Sequence, residues 1–290
     1  MTHFDTRVDR SGMSTVKQAM TPAAIEESGL LSLWGAEFEF PTADFVIDAV
    51  VRWAKRGLYA YTVEDAAFLE LVRSWLASQR GWEIEPEWIV PVYGITSALA
   101  TAMRAFTGEG DGIVGLDPCY HMYWEAVELS SRRRVSSPML FDGERYSIDW
   151  PDLEAKLAAP ENKLLVFCNP HNPTGKVFSR GELERIAELA GKYGVVVFND
   201  EIFAECVYPG VEMPTFGQLP NCAARVITAV SLGKWLSFTG TNQANLIIPD
   251  AETRERFRAR RDREFYGSMN PMLRPAYRAS NTTPSPASSA

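Results

Sequence analysis

Close cysteine pairs are absent from this chain of 290 residues. Its four cysteines, Cys119, Cys168, Cys206 and Cys222, show no CxxC spacing. That argues against a zinc site or a disulfide framework and for reduced thiols. Broad basic stretches are also missing. With a formal net charge of −8 and a pI near 5.1, nothing offers a nucleic-acid partner an electrostatic footprint. No apolar run is long enough to span a bilayer, and the opening "MTHFDTRVDRSG" lacks the apolar region of a signal peptide. A membrane partner is therefore not expected, and the expected location is cytoplasmic. Internal repeats are absent too. What is present is 46% hydrophobic composition, enough for a large core.

The pattern is irregular over residues 1–43, where "SLWGAEFEF" reads as a short extended piece. From Asp44 it becomes regular. "ADFVIDAVVRWAKRG" and "EDAAFLELVRSWLASQRG" carry apolar residues at helical spacing and end in Gly. Then strands and helices alternate: "WIVPVYG" before "ITSALATAMRAF", "GIVGL" before "CYHMYWEAVEL", "KLLVFCN" before "SRGELERIAELAGKYG", which opens with a Ser cap and a Glu three residues on. "VVVFND", "RVITAVS" and "QANLIIP" are three further strands. This alternation predicts an α/β fold, a three-layer α/β/α sandwich around a mostly parallel, mixed sheet. "DAETRERFRARRDREF" reads as a charged helix with too few apolar residues to cover a core face alone. The Ser/Pro/Ala-rich "SNTTPSPASSA" is expected to be disordered.

Ligands of such sheets sit outside the carboxyl ends of the strands. The segments after those ends are Gly94-Ile95-Thr96, Asp117-Pro118-Cys119-Tyr120, the polar turn "NPHNPTGKVF", Asn199-Asp200-Glu201 and Ser231-Leu232-Gly233-Lys234. One lysine, one acid, one amide, one aromatic ring and a helix N-terminus suit pyridoxal 5'-phosphate. A lysine amine condenses with an aldehyde. A carboxylate pairs with a protonated pyridine nitrogen. Free helix N–H groups bind phosphate. No metal site is expected.

In order and spacing, "NPHNPTGKVF", "NDEIF" and "SLGKWLSFTGTNQANLIIP" resemble the fold-type I aminotransferase superfamily (class I/II). "FDTRVDRSG", "LWGAEFEFPTA" and "GLYAYT" narrow the resemblance to the MalY/PatB-type cystathionine β-lyases, from about Phe4 to Tyr277. The resemblance implies roles residue by residue. Lys234 matches the Schiff-base lysine and general base. Asp200 matches the partner of the pyridine nitrogen, and Asn172 the amide on the cofactor's phenolic oxygen. Tyr120 matches the ring stacked on the cofactor. Ile95 and Thr96 match a phosphate cradle through their N–H groups, and Ser231 a hydroxyl donor to the same phosphate. Tyr61 matches a tyrosine supplied by the neighbouring subunit, which implies a homodimer. His171 reads as a turn or packing residue. The implied domains are an N-terminal segment over 1–43 (part of the small domain or a dimer arm), a cofactor-binding large domain over 44–249, an interdomain helix and the start of a small domain over 250–279, and a tail over 280–290.

Three departures stand out. Phe203 replaces the His or Tyr usual three residues past the acid, and Gly233 replaces a common second serine. The sequence also stops where the family continues into a small C-terminal domain that supplies the arginine for the substrate carboxylate. The chain therefore reads as C-terminally truncated, with that arginine expected in the missing region; only full turnover by this chain would require an arginine near Arg274 to take its place. The implied activity is carbon–sulfur β-elimination on an amino-acid thioether such as cystathionine. An aminotransferase is the first alternative, and a weakly catalytic remnant or regulatory binding protein the second.

Overall fold

The computed structural model describes residues 5, 8–22, 25, 27–30, 32–219 and 225–265. Cys222, Arg274, Tyr277 and the expected tail lie outside them. In chain order the first elements are α1 (Val16–Met20), α2 (Asp44–Ala54), α3 (Ala66–Arg80), β1 (Ile89–Val92), α4 (Ile95–Phe106), β2 (Gly112–Asp117) and α5 (His121–Leu129). Next come β3 (Arg133–Pro138), β4 (Leu140–Phe141), β5 (Tyr146–Ser147), α6 (Trp150–Ala158) and β6 (Asn162–Cys168). The last are α7 (Arg180–Tyr193), β7 (Val196–Asp200), β8 (Val226–Val230), β9 (Ala244–Ile247) and α8 (Ala251–Phe265).

Seven strands form one sheet in the order β1-β9-β8-β7-β6-β2-β3, and β4 pairs with β5 in a separate hairpin. β3, β2, β6, β7 and β8 are parallel, while β9 runs antiparallel to both β8 and β1. The predicted mixed, mostly parallel sheet is thus observed. The carboxyl ends of β1, β2, β6, β7 and β8 all reach the same edge, where β9 begins.

The three layers follow from strand alternation. In β6, Leu164, Val166 and Cys168 face α4, α5 and α8. Leu165 and Phe167 face the opposite layer of α6 and α7. Towards the β1 end, α2 and α3 cover that second face through Val46, Phe68, Val72 and Trp75. Each such side chain contributes about 1.5–3 kcal/mol by leaving water, so the sheet is anchored from both sides. Two helices stop where the sequence says: Gly81 and Gly194 adopt the left-handed C-cap, and Ser179 with Glu182 forms the predicted capping box, whereas α2 ends at Ala54, short of the expected Gly57.

Two features differ from the sequence reading. "SLWGAEFEF" forms no strand; residues 36–39 run as an irregular segment tied down by Val8 N donating to Glu39 O at 2.8 Å. The charged helix α8 does reach the core, because Phe257 is fully buried against α4. Its arginines serve backbone as well. Arg258 Nη2 donates to the carbonyls of Glu87 (3.0 Å) and Ile89 (3.3 Å), and Arg261 Nη1 to that of Pro91 (3.3 Å). No helix among the described residues is long and apolar enough to cross a membrane.

Candidate active site

The β1–α4 turn opens the site. Gly94 has φ +79, and a Cβ there would lie 2.5 Å from Asn242 Oδ1, so only glycine lets the two loops approach this closely. No side chain caps α4, whose first residues are Ile95 and Thr96. Their N–H groups precede the first bond of the helix, Ala98 N to Gly94 O. The end is left with the positive partial charge of an uncapped helix start.

At the end of β7, Asp200 is buried. Its Oδ2 accepts from the Tyr123 hydroxyl and its Oδ1 from Ile202 N at 2.9 Å. Burial is the dominant influence and pushes this carboxyl up to about 6, against the pull of those two donors and of Lys234. Tyr120, one turn before Tyr123 on α5, meets the Tyr123 ring edge-on with centroids 5.2 Å apart. Burial and then the Asp200 charge raise the Tyr120 hydroxyl's pKa.

Lys234 follows β8 on a tight turn. Ser231 Oγ donates to Gln243 O at 2.6 Å and accepts from Gly233 N at 3.0 Å. The Ser231 hydroxyl is therefore engaged within the turn, and serving an anion requires it to reorient. A Cβ on Gly233 would sit 3.2 Å from Ser231 Oγ, a physical reason for glycine where a serine is common. Lys234 Nζ donates to Ala36 O at 3.1 Å and stands 5.9 Å from the Phe203 ring centroid. Phe203 offers no hydrogen bond, but its face attracts the ammonium. Burial lowers the Lys234 pKa, while Glu37, Asp200 and Cys206 raise it.

The polar turn after β6 is locked from within. Asn169 N donates to Asp200 O (2.9 Å), its Oδ1 accepts from Phe178 N (3.1 Å) and its Nδ2 donates to Pro214 O (3.2 Å). His171 N donates to Lys176 O and Gly175 N to His171 O, both at 2.7 Å. The His171 ring bonds Thr174 Oγ1 at 2.9 Å, and burial holds its pKa down to about 4. His171 is thus a neutral turn residue, and the turn it closes carries half-buried Asn172 at the strand end.

Behind Asp200, Glu201 is fully buried. Arg80 Nη1 reaches Glu201 Oε2 at 2.7 Å, and Arg80 Nε reaches Glu205 Oε1 at 2.6 Å. This clamp ties the end of α3 to the end of β7.

Ile95, Thr96, Tyr120, Asn172, Asp200, Ser231 and Lys234 therefore share one sheet edge. Tyr61 does not join them: it is 98% exposed, on a segment that also exposes Leu58, Tyr59 and Val63. Two contributors escaped the sequence reading. Tyr123 had a signal, its three-residue spacing from Tyr120 on one helix face. Asn242 had none, because only the antiparallel entry of β9 brings it to Gly94.

A model of the family "aminotransferase class I and II" matches residues 37–289. Cystathionine beta-lyase PatB of Bacillus subtilis (strain 168) is 32% identical over 269 residues, covering 92% of this chain and 70% of PatB. Protein MalY of Escherichia coli (strain K12) is 28% identical over 209 residues, 72% of this chain and 54% of MalY. The crystal structure of cystalysin from Treponema denticola, which contains pyridoxal 5'-phosphate, superposes with a TM-score of 0.87 at 27% identity. It covers 95% of this chain and 70% of cystalysin. The fold, the polar turn after β6 and the lysine after β8 converge with these matches: the chain belongs to the aminotransferase class I and II family.

Proposed function

We propose that this chain binds pyridoxal 5'-phosphate at the sheet edge and cleaves the β carbon–sulfur bond of an amino-acid thioether of the cystathionine type. The carrying observation is the buried Asp200 carboxyl, which accepts two hydrogen bonds but makes no ion pair among the described residues. A buried carboxylate in that state suits a cationic ring nitrogen, since an opposite charge favours its ionised form. The uncapped start of α4 suits a phosphate, and the partly desolvated Lys234 amine suits attachment to a carbonyl. The residues present therefore fit the group.

When bound, the cofactor supplies a conjugated ring that accepts the electron pair released at the substrate Cα. Lys234 would hold the cofactor through its amine and, once that amine is free, would take the substrate Cα proton as general base. Asp200 keeps positive charge at the ring nitrogen. The Asn172 amide would hydrogen-bond the phenolic oxygen, and Tyr120 would supply an aromatic surface for the ring. Ile95 and Thr96 present N–H groups to the phosphate, with Ser231 as a further donor after reorientation. The Cα electron pair would then form a Cα=Cβ double bond as the Cβ–S pair leaves on sulfur, and the leaving thiolate would take the proton carried by Lys234. Thiol, pyruvate and ammonia are the products after hydrolysis.

We infer a homodimer that places Tyr61 against the partner's phosphate. The exposed Leu58, Tyr59, Tyr61 and Val63 support this, since so much adjacent apolar surface favours association. The free Cys119, Cys168 and Cys206 suit a reducing compartment, and we place the enzyme in the cytoplasm.

Pyruvate release from cystathionine by the loaded chain tests the reading, with Lys234→Ala as control. Pyruvate lost in the variant supports it. Amino transfer to an added keto acid without pyruvate release would make the chain an aminotransferase instead.

A further inference from the structure

The N-terminal segment carries a chain of charges that ends at the reactive lysine. The Ala36 carbonyl accepts from Lys234 Nζ at 3.1 Å. The next residue, Glu37, accepts from Arg10 Nη1 at 2.7 Å. Arg10 Nη2 donates to Phe38 O at 2.8 Å, and Arg10 Nε lies 3.6 Å from Glu39 Oε2. Glu39 in turn accepts from Lys17 on α1, whose start is fixed by the Thr15–Gln18 capping box. The Arg10 side chain is only 16% exposed and that of Lys17 only 8%. Arg10 thus grips residues 37–39 at three points, directly beside the contact made by Ala36.

We propose that Arg10 and Glu37 are positioning residues of the active site: their pair seats the Ala36 carbonyl on Lys234 and withholds the Glu37 carboxylate from the lysine ammonium. This rests on the reading of Lys234 as the reactive amine.

Glu37 has two cations within its field, Arg10 in direct contact and Lys234 beyond. The groups facing the Lys234 amine are Glu37 from the N-terminal segment, Asp200 from β7, and Cys206 and the Phe203 ring from the loop after β7. Of the charged ones Glu37 acts most strongly in favour of the ammonium, even while paired. Arg10 neutralises part of that influence. Without Arg10, the Glu37 carboxylate swings to the lysine, and the neutral amine needed for carbonyl addition forms only at higher pH. Without Glu37, it forms at lower pH.

The test uses the full chain free of cofactor. Trace acetic anhydride labels amines in proportion to their neutral fraction, and peptide mass spectrometry reads Lys234 across pH. Exposed Lys192, paired with Glu154, is the internal reference. Arg10→Gln should move the Lys234 midpoint up by about one pH unit, a tenfold loss of labelling at fixed pH. Glu37→Gln should move it down, the double variant should follow Glu37→Gln, and Arg10→Lys should restore most of the wild-type midpoint. Unmoved midpoints in both single variants, with circular dichroism unchanged, would overturn the proposal. If Arg10→Gln does not fold, Glu37→Gln decides alone: a downward shift supports the proposal and no shift overturns it. Borohydride trapping of added pyridoxal 5'-phosphate is run in parallel. Trapping on another lysine sinks the assignment of Lys234, whichever way the midpoints move.

Discussion

The Tyr123 hydroxyl donates to the Asp200 carboxylate, joining α5 to the end of β7 inside the protein. Both groups are buried, and burial drives the tyrosine's pKa up, so it stays a donor throughout the working range. Its bond opposes the burial that holds Asp200 near 6. Removing it with Tyr123→Phe should raise the Asp200 pKa further and leave less carboxylate at neutral pH. A hydrogen bond to a charged group is worth about 1.5–3 kcal/mol, so cofactor affinity should fall by at least about tenfold. Fluorescence titration with pyridoxal 5'-phosphate measures this, and unchanged affinity would deny Tyr123 that role.

Asp200 also sets a pH dependence in the cofactor-free chain. Its folded pKa, about 6, lies above the ordinary aspartate value of 3.8. For an acid so shifted, stability is fully present below the unfolded pKa and is lost as pH rises through the folded one. A shift of about two units corresponds to about 3 kcal/mol. Urea unfolding should therefore show Asp200→Asn gaining on the wild type as pH rises from 4 to 7, relative to whatever offset the two show near pH 3.5. A constant difference would contradict the burial argument.

Gly94→Ala is a test of the turn over which the phosphate is proposed to sit. The residue has φ +79, and the new Cβ would meet Asn242 Oδ1 at 2.5 Å. Backbone strain of this kind costs about 1–3 kcal/mol, and moving Asn242 adds to it. Calorimetry should show a lower Tm, with weaker cofactor retention. Gly181→Ala, on the first turn of α7 with nothing within 4 Å of its Cβ, should leave cofactor retention unchanged and Tm no lower.

Arg80→Met should be among the most damaging single changes. It strands Glu201, fully buried, and Glu205 without their shared cation. Breaking a buried pair from one side costs about 3–5 kcal/mol. Arg185→Met, which breaks only exposed pairs with Glu154 and Glu188, should cost less than about 1 kcal/mol. Equal losses in denaturant unfolding would show that the clamp is not what holds the end of β7.

The buried strands were legible because β6, β7 and β8 are near-continuous apolar runs, as parallel strands covered on both faces must be. β3, β4, β5 and α6 escaped the sequence reading for a related reason. β3 is an edge strand reading "RRVSSP" that buries only Val135 and Ser137, so its apolar signal is weak. α6 is a nine-residue helix with two buried leucines. At the site, Lys234, Asp200 and Asn172 announced themselves through polar residues placed directly after apolar strands. Tyr123 sat among core positions of its helix, where an aromatic residue needs no functional explanation. Glu37 and Arg10 lay in an irregular segment with no periodicity to interpret, and only folding brings them to Lys234, far along the chain.

β1 lies at the edge of the sheet, where an open row of backbone groups would recruit a strand from another copy. Its outward carbonyls at Ile89 and Pro91, and that of Glu87 just before it, are instead taken by Arg258 and Arg261, and Pro91 has no N–H to offer. The arginine-rich face of α8 thus occupies acceptors that an added strand would need. A chain that lost those two side chains would keep its catalytic groups while gaining an adhesive margin.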